Sequence, residues 1–156
     1  MNDFKSDLLF HTEARSKMIE GACQLADAVS VTLGPKGKNV AIAWPGQRPH
    51  LTKDGVTVAS AINLRDPYQN LGCQIVKEAA QRSAEVAGDG TTTSTVLAAA
   101  LLKDGHRLLE TGHDSKEVIR GMESACSEVI RTLEETKTEL KETHQLQSVA
   151  TISANG

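Results

Sequence analysis

Apolar residues return every three or four positions through most of this chain, the period of helices that turn one face to a core. Met18, Ala22, Leu25, Val29 and Leu33 form the first such stripe and predict a helix over about residues 13–33. Thr12 is placed to cap it, although Arg15 stands where a capping box needs Glu or Gln. Gly34 and Pro35 stop it. The period then shortens. Val40, Ile42 and Trp44 alternate with smaller residues, the run Pro45-Gly46-Gln47-Arg48-Pro49 is rich in turn formers, and a short apolar/polar stretch follows from His50. This pattern predicts a β-hairpin over residues 39–52. Two strands alone are marginal, so the hairpin needs a surface to lie on.

The helical period resumes at Asp66-Pro67, a good N-cap followed by a residue that suits the first turn, with Gln69 three positions after the cap. Leu71, Ile75, Ala79 and Val86 lie near one face, and Gly88 ends the segment. A third helix begins inside Thr91-Thr92-Thr93, carries Val96, Leu97, Ala100, Leu101, Leu108 and Leu109, and stops at Gly112, with Gly105 as a candidate break. The tight glycine turn between these two helices makes them antiparallel neighbours. Asp114-Ser115, with Glu117 three residues after the Asp, opens a fourth helix striped by Val118, Met122, Cys126, Val129 and Leu133. Residues 132–142 are rich in Glu, Lys and Thr, as in a solvated helix end. Leu146, Val149 and Ile152 then mark a last short helix. The expected fold is mainly α: an antiparallel helical bundle with one small β-hairpin.

Composition narrows the function classes. The chain has 156 residues, enough for one domain with a real core. Aromatics are 3%, so Ala, Leu, Val and Ile must fill that core, which favours packed helices over a sandwich. The formal net charge is −3 with scattered basic residues, which is not the basic stripe of a nucleic-acid binder. No apolar run approaches the roughly 20 residues of a membrane helix, and the N-terminus has no signal-like apolar block. Cys23, Cys73 and Cys126 are far apart and form no CxxC pair, a pattern of reduced thiols in a cytoplasmic protein. The histidines, His11, His50, His106, His113 and His144, show no metal-binding spacing.

Three glycine turns could carry chemistry. In Gly88-Asp89-Gly90-Thr91-Thr92-Thr93 two glycines bracket an Asp directly ahead of a helix. Glycines let the backbone approach a ligand closely, and the helix N-terminus offers N–H groups and a positive dipole end to an anion. Asp89 adds an oxygen ligand of the kind Mg²⁺ takes together with phosphates. The run is not a Walker A loop, since no Gly-Lys-Ser/Thr follows. An ordinary inter-helix turn, with Gly as C-cap and Asp and Thr as N-cap, accounts for the same residues. The second turn, Thr32-Leu33-Gly34-Pro35-Lys36-Gly37-Lys38, could wrap a phosphate, but a helix stop followed by a turn explains it as well. The third, Leu51-Thr52-Lys53-Asp54-Gly55, sets Lys and Asp side by side, and a surface Asp-Gly turn is its plain reading.

Taken in order and at their spacing, these turns, with Ala150-Thr151-Ile152-Ser153-Ala154-Asn155, resemble the signature of the GroEL-type (group I, 60 kDa) chaperonins. The likeness covers about residues 13–155, and Thr-Lys-Asp-Gly points to the bacterial and organellar group. The resemblance implies the N-terminal part of an equatorial ATP-binding domain over residues 1–136, then a connector and the start of an intermediate domain over 137–156. It implies that Thr32, Leu33, Gly34 and Pro35 line the nucleotide near its base and α-phosphate. Gly90, Thr91, Thr92 and Thr93 would take the β- and γ-phosphates, with Gly88 shaping the loop and Asp89 holding Mg²⁺. Lys53 and Asp54 would face the γ-phosphate, Asp54 helping to position water as the catalytic carboxylate. Backbone oxygens of Thr32 and Lys53 would help form a K⁺ site. The hairpin would pair with a neighbouring subunit in a seven-membered homo-oligomeric ring.

Departures from the family pattern bear on activity. Family chains are several times longer, and neither the second hydrolytic aspartate nor the apical domain that grips unfolded clients and the co-chaperonin lies within these residues. The sequence therefore reads as a fragment whose parent is an ATPase and which itself binds ATP but hydrolyses it poorly. The usual hinge Pro is replaced in the stretch 137–144, Lys38 stands where Arg is common, and the hairpin tip from Ala43 to Arg48 diverges. A different class of function remains open: a non-catalytic helical module that associates through its hairpin and exposed apolar faces.

Overall fold

The first helix buries Ala22, Leu25 and Val29 of its predicted stripe and beside them makes a close backbone approach. In a computed structural model, which describes residues 8–46 and 48–154 (the side chain of His11 excepted), α1 spans His11–Ser30 and α3 spans Pro67–Ala87. A Cβ added to Gly21 would overlap the backbone carbonyl of Gln69, and one added to Gly72 would overlap that of Met18. The reversed order of these pairs makes the two helices antiparallel. Small residues let the backbones nearly touch, and the face of α3 turned inward is Gly72, Cys73, Val76 and Ala80. The expected face of α3 is thus displaced: Leu71, Ile75 and Val86 are exposed. A stripe of small residues carries little hydrophobic signal, yet only small residues fit so close a crossing.

Between these helices come β1 (Val40–Ile42), β2 (His50–Thr52) and α2 (Gly55–Ala61). The strands pair antiparallel with Val40 opposite Thr52 and Ile42 opposite His50, as the alternation predicts; Gln47, at the expected tip, lies outside the described residues. The surface turn expected at Asp54-Gly55 is instead the start of α2. A seven-residue helix is unstable alone. Burial holds it, because Val58 and Ala59 join Ala22, Leu25, Val29, Ile42, Cys73 and Val76 in one core cluster. Ile42 supplies the surface contact the hairpin needs.

Helix α4 spans Thr91–Glu110 and buries Thr95, Ala99 and Gly105, so Gly105 does not break it. Leu97 and Leu101, expected on its inner face, are exposed. Ser16 Oγ lies 3.3 Å from His106 Nε2, which ties α4 to α1. At the start of α1 the N-cap is Phe10, with no side-chain cap bond, rather than Thr12. At its end the helix closes at Ser30 and Leu33 is nearly half exposed.

The chain divides into two compact units, one through Arg107 and one from Leu108. The second holds α5 (Ser115–Thr136) and α6 (Thr143–Ser153). Asp114 caps α5, accepting hydrogen bonds from the N–H groups of Lys116 and Glu117. Neither helix has a buried residue, so the Val129 and Leu133 stripe faces outward within this unit. Among the described residues the fold is six helices and one two-stranded antiparallel sheet, a mainly α arrangement.

Candidate functional site

The turn after α1 is held from within. Thr32 is buried, and both its N–H (3.0 Å) and its hydroxyl (2.8 Å) donate to the carbonyl of Val29, continuing the helix's own hydrogen bonding. Lys38 N–H donates to Val31 O at 2.7 Å and Gly37 N–H to Gly34 O at 2.9 Å. Gly34 has φ +73°, a left-handed conformation that glycine adopts at no steric cost. These bonds fix the loop before any ligand arrives. Leu33, Gly34, Pro35 and Lys36 form its exposed rim.

The second turn joins the hairpin to α2. Thr52 Oγ1 accepts a bond from Asp54 N–H at 3.0 Å. Asp54 is the N-cap of α2, accepting from Val56 N–H at 3.3 Å, Thr57 N–H at 2.9 Å and the Thr57 hydroxyl at 2.6 Å. Partial burial pushes its carboxyl upward, but the bonds from the Thr57 hydroxyl and the two N–H groups outweigh it and hold the group below the usual carboxylate range. Lys53, next to it, is half-buried.

The third turn separates α3 from α4. Gly88 closes α3 in the left-handed conformation at φ +73°, its N–H bonded to Ala84 O, and Gly90 follows at φ +85°. Asp89 Oδ1 accepts from Gly90 N–H at 2.6 Å. The first turn of a helix presents N–H groups with no acceptor inside the helix, and here they belong to Thr91, Thr92 and Thr93. The hydroxyl of Thr95 donates to Thr91 O, tightening that turn.

The second and third of these turns meet at Gly55. It is buried, and a Cβ there would overlap the hydroxyl of Thr92 and lie 3.2 Å from Val29 Cγ1. Gly55 thus brings the N-termini of α2 and α4 together beside Val29, whose carbonyl anchors Thr32. The surroundings divide into two openings. Gly55, Val56 and Thr91 line a cleft of about 740 Å³ together with Lys77 and Gln81 of α3, a size within the range of small-molecule sites. Asp89, Gly90 and Thr93 open instead onto a shallower depression with Ser83 and Ala87. The structure therefore brings Asp54, Thr91 and Thr92 together at Gly55 and sets Asp89 and Thr93 on a separate depression, while Thr32 is tied to the end of α1 through Val29. Sequence reasoning did not single out Thr57 and Thr52, which hold Asp54. An Asp followed at the third position by Thr is a capping pattern that could have revealed Thr57.

The fold and site define a mainly helical domain in which the turn before α2 and the turn before α4 meet at Gly55, and the N-terminus of α4 offers backbone N–H groups of the kind an anion takes. Residues 25–156 match the model of the TCP-1/cpn60 chaperonin family, and the chain belongs to that family. It is 47% identical over 150 residues to a protein of Euglena gracilis described as "Chaperonin CPN60, mitochondrial", an alignment that takes in 96% of this chain and 26% of that relative. The chain thus spans about a quarter of the length of the curated relative it matches. With this identity, it is the N-terminal equatorial region of a group I, 60 kDa chaperonin.

Proposed function

We propose that this chain is the ATP-binding portion of a chaperonin that assists protein folding by Mg-ATP-driven cycling of a ring. The observation that carries the reading is the convergence at Gly55: it seats the Thr92 hydroxyl and the α4 N-terminus against the turn that bears Lys53 and Asp54. In this reading Thr32, Leu33, Gly34 and Pro35 cradle the base side and α-phosphate. Gly88 and Gly90 shape the loop over the outer phosphates, and Thr91, Thr92 and Thr93 donate to them. Lys53 contributes positive charge, and Asp54 orients the attacking water. The donor set suits Mg²⁺, which takes one or two carboxylates and completes its shell with phosphate and water. Asp89 would hold it. Among the described residues no three His, Cys, Asp or Glu gather at one point, so the ligand's own oxygens would supply most of the coordination. Carbonyls of Thr32 and Lys53 would serve K⁺.

The ring, the co-chaperonin and unfolded clients belong to the same proposal. So does the compartment: a reducing aqueous one, cytoplasm or organelle matrix. Among the described residues no helix is long and apolar enough to cross a membrane. A polypeptide of these 156 residues is expected to bind ATP and turn it over slowly. Titration calorimetry with ATP, with and without Mg²⁺, tests the reading. Binding should require Mg²⁺ and weaken at least tenfold in Asp89→Ala, whereas unchanged affinity in that variant would remove Asp89 from the site and undercut the proposal.

A second reading, a non-catalytic module that associates through apolar faces, draws on the exposed Leu97, Leu101, Ile119 and Ile130. It expects concentration-dependent association of the polypeptide and no ATP binding.

A further inference from the structure

The Asp54 carboxylate is held unevenly. Both bonds from Thr57, the hydroxyl at 2.6 Å and the N–H at 2.9 Å, go to Oδ2. Oδ1 receives the longer bond from Val56 N–H, 3.3 Å. An ionised carboxylate has about four lone-pair sites, so Thr57 occupies the capacity of one oxygen while the other keeps a site to spare. The hydroxyl bond is as short as charge-assisted O–H···O⁻ bonds are. Backbone N–H groups alone would cap the helix with either oxygen. A side-chain hydroxyl one helical turn on adds a third anchor and fixes the rotation of the carboxylate. The residue beneath is fixed as well, since Asp54 N–H is bonded to Thr52 Oγ1 at the end of β2 and Val58 N–H to Asp54 O.

We infer that Thr57 is a positioning residue for hydrolysis: its hydroxyl commits Oδ2 of Asp54 to the helix and keeps Oδ1 for the water that attacks the terminal phosphate. This rests on the ATPase reading above. In that step the water oxygen bonds to phosphorus, the bond from phosphorus to the bridging oxygen breaks, and ADP leaves. Asp54 orients the water and takes up its proton. If Thr57 did not hold it, the carboxylate would rotate between cap and water, and an interaction needed in the transition state would be populated only part of the time.

The test is steady-state ATPase kinetics of the full-length assembled protein carrying Thr57→Val, Thr57→Ser, Asp54→Asn and the Asp54→Asn/Thr57→Val pair, with thermal melting of each. Thr57→Val should lower kcat roughly tenfold, less than the roughly 100- to 10,000-fold attributed to a positioned acid–base group itself, with KM for ATP and the melting temperature little changed. Thr57→Ser should restore it. In the Asp54→Asn background Thr57→Val should add nothing, because the two residues act as one unit. Should Thr57→Val fail to assemble, Thr57→Ala takes its place. An equal loss from Thr57→Val in both backgrounds would make Thr57 merely structural and overturn the inference. So would wild-type kcat in Thr57→Val when Asp54→Asn is crippled, while the ATPase reading stands. A wild-type protein that neither binds nor hydrolyses ATP would remove that reading and the inference with it.

Discussion

Gly55 has no unusual backbone conformation; what it supplies is space. In a helix Ala is ordinarily favoured over Gly by about 1 kcal/mol, yet here a Cβ would meet Thr92 and Val29. Gly55→Ala is therefore expected to destabilise the protein and weaken ATP binding several-fold. Adding Thr92→Ala should recover the stability but not the affinity. Urea unfolding and calorimetry on the two variants check this, and full additivity of the two stability losses would mean that the residues do not touch. Asp54 provides a second check at this scale. Its folded-state pKa is depressed, so its capping contributes stability above the unfolded value, near 3.9, and loses it as pH falls through the lower folded value. The Asp54 carboxyl ¹³C resonance should titrate with a midpoint below that of a free Asp, and in Thr57→Val the midpoint should rise. A midpoint at or above the ordinary value would show that the hydrogen bonds to Asp54 are absent in solution.

Among the elements, α1 and α3 set the frame on which the turns are mounted. Gly72→Ala puts a methyl group into the Met18 carbonyl, and because the obstacle is backbone, the helices must separate. Overpacking of this kind costs roughly 1–3 kcal/mol, seen as a lower urea midpoint with the slope unchanged. A variant as stable as wild type would mean that the crossing is looser than described. The same crossing explains what the sequence could reveal. Helix caps at Asp66 and Asp114 and the glycine stop at Gly88 were legible because capping is local chemistry, and the hairpin because its period is two. The inner faces of α3 and α4 were not, since apart from Val76 their buried positions are the small or polar Gly72, Cys73, Ala80, Thr95, Ala99 and Gly105, and periodicity weights the large apolar residues that point outward. Helix α2 was invisible for a related reason: seven residues bounded by Asp-Gly read as a turn, and only Val58 and Ala59 entering the core make it a helix.

For the molecule as a whole, the Gly88–Thr93 turn alone read as well as a ligand site as it did as helix punctuation, and the other two read more simply as plain turns. Their order along the chain pointed to the chaperonin family, which the match over residues 25–156 bears out. What spacing could not give is that Gly55 places two of the turns in contact, because that depends on how α2 is buried. Outward-facing Leu97, Leu101, Ile119 and Ile130 leave apolar surface that tends to associate. A polypeptide of these residues should show concentration-dependent sedimentation, and substitution of Leu97 and Leu101 by Lys should reduce it. A single ATP site shared by the three turns is tested by paramagnetic relaxation from Mn²⁺-ATP, read on the backbone amides of this chain. Selective broadening is expected at residues 33–37, 53–55 and 88–93 together, abolished by Asp89→Ala. Broadening confined to one turn, or spread without regard to the three, would contradict a single site built from them.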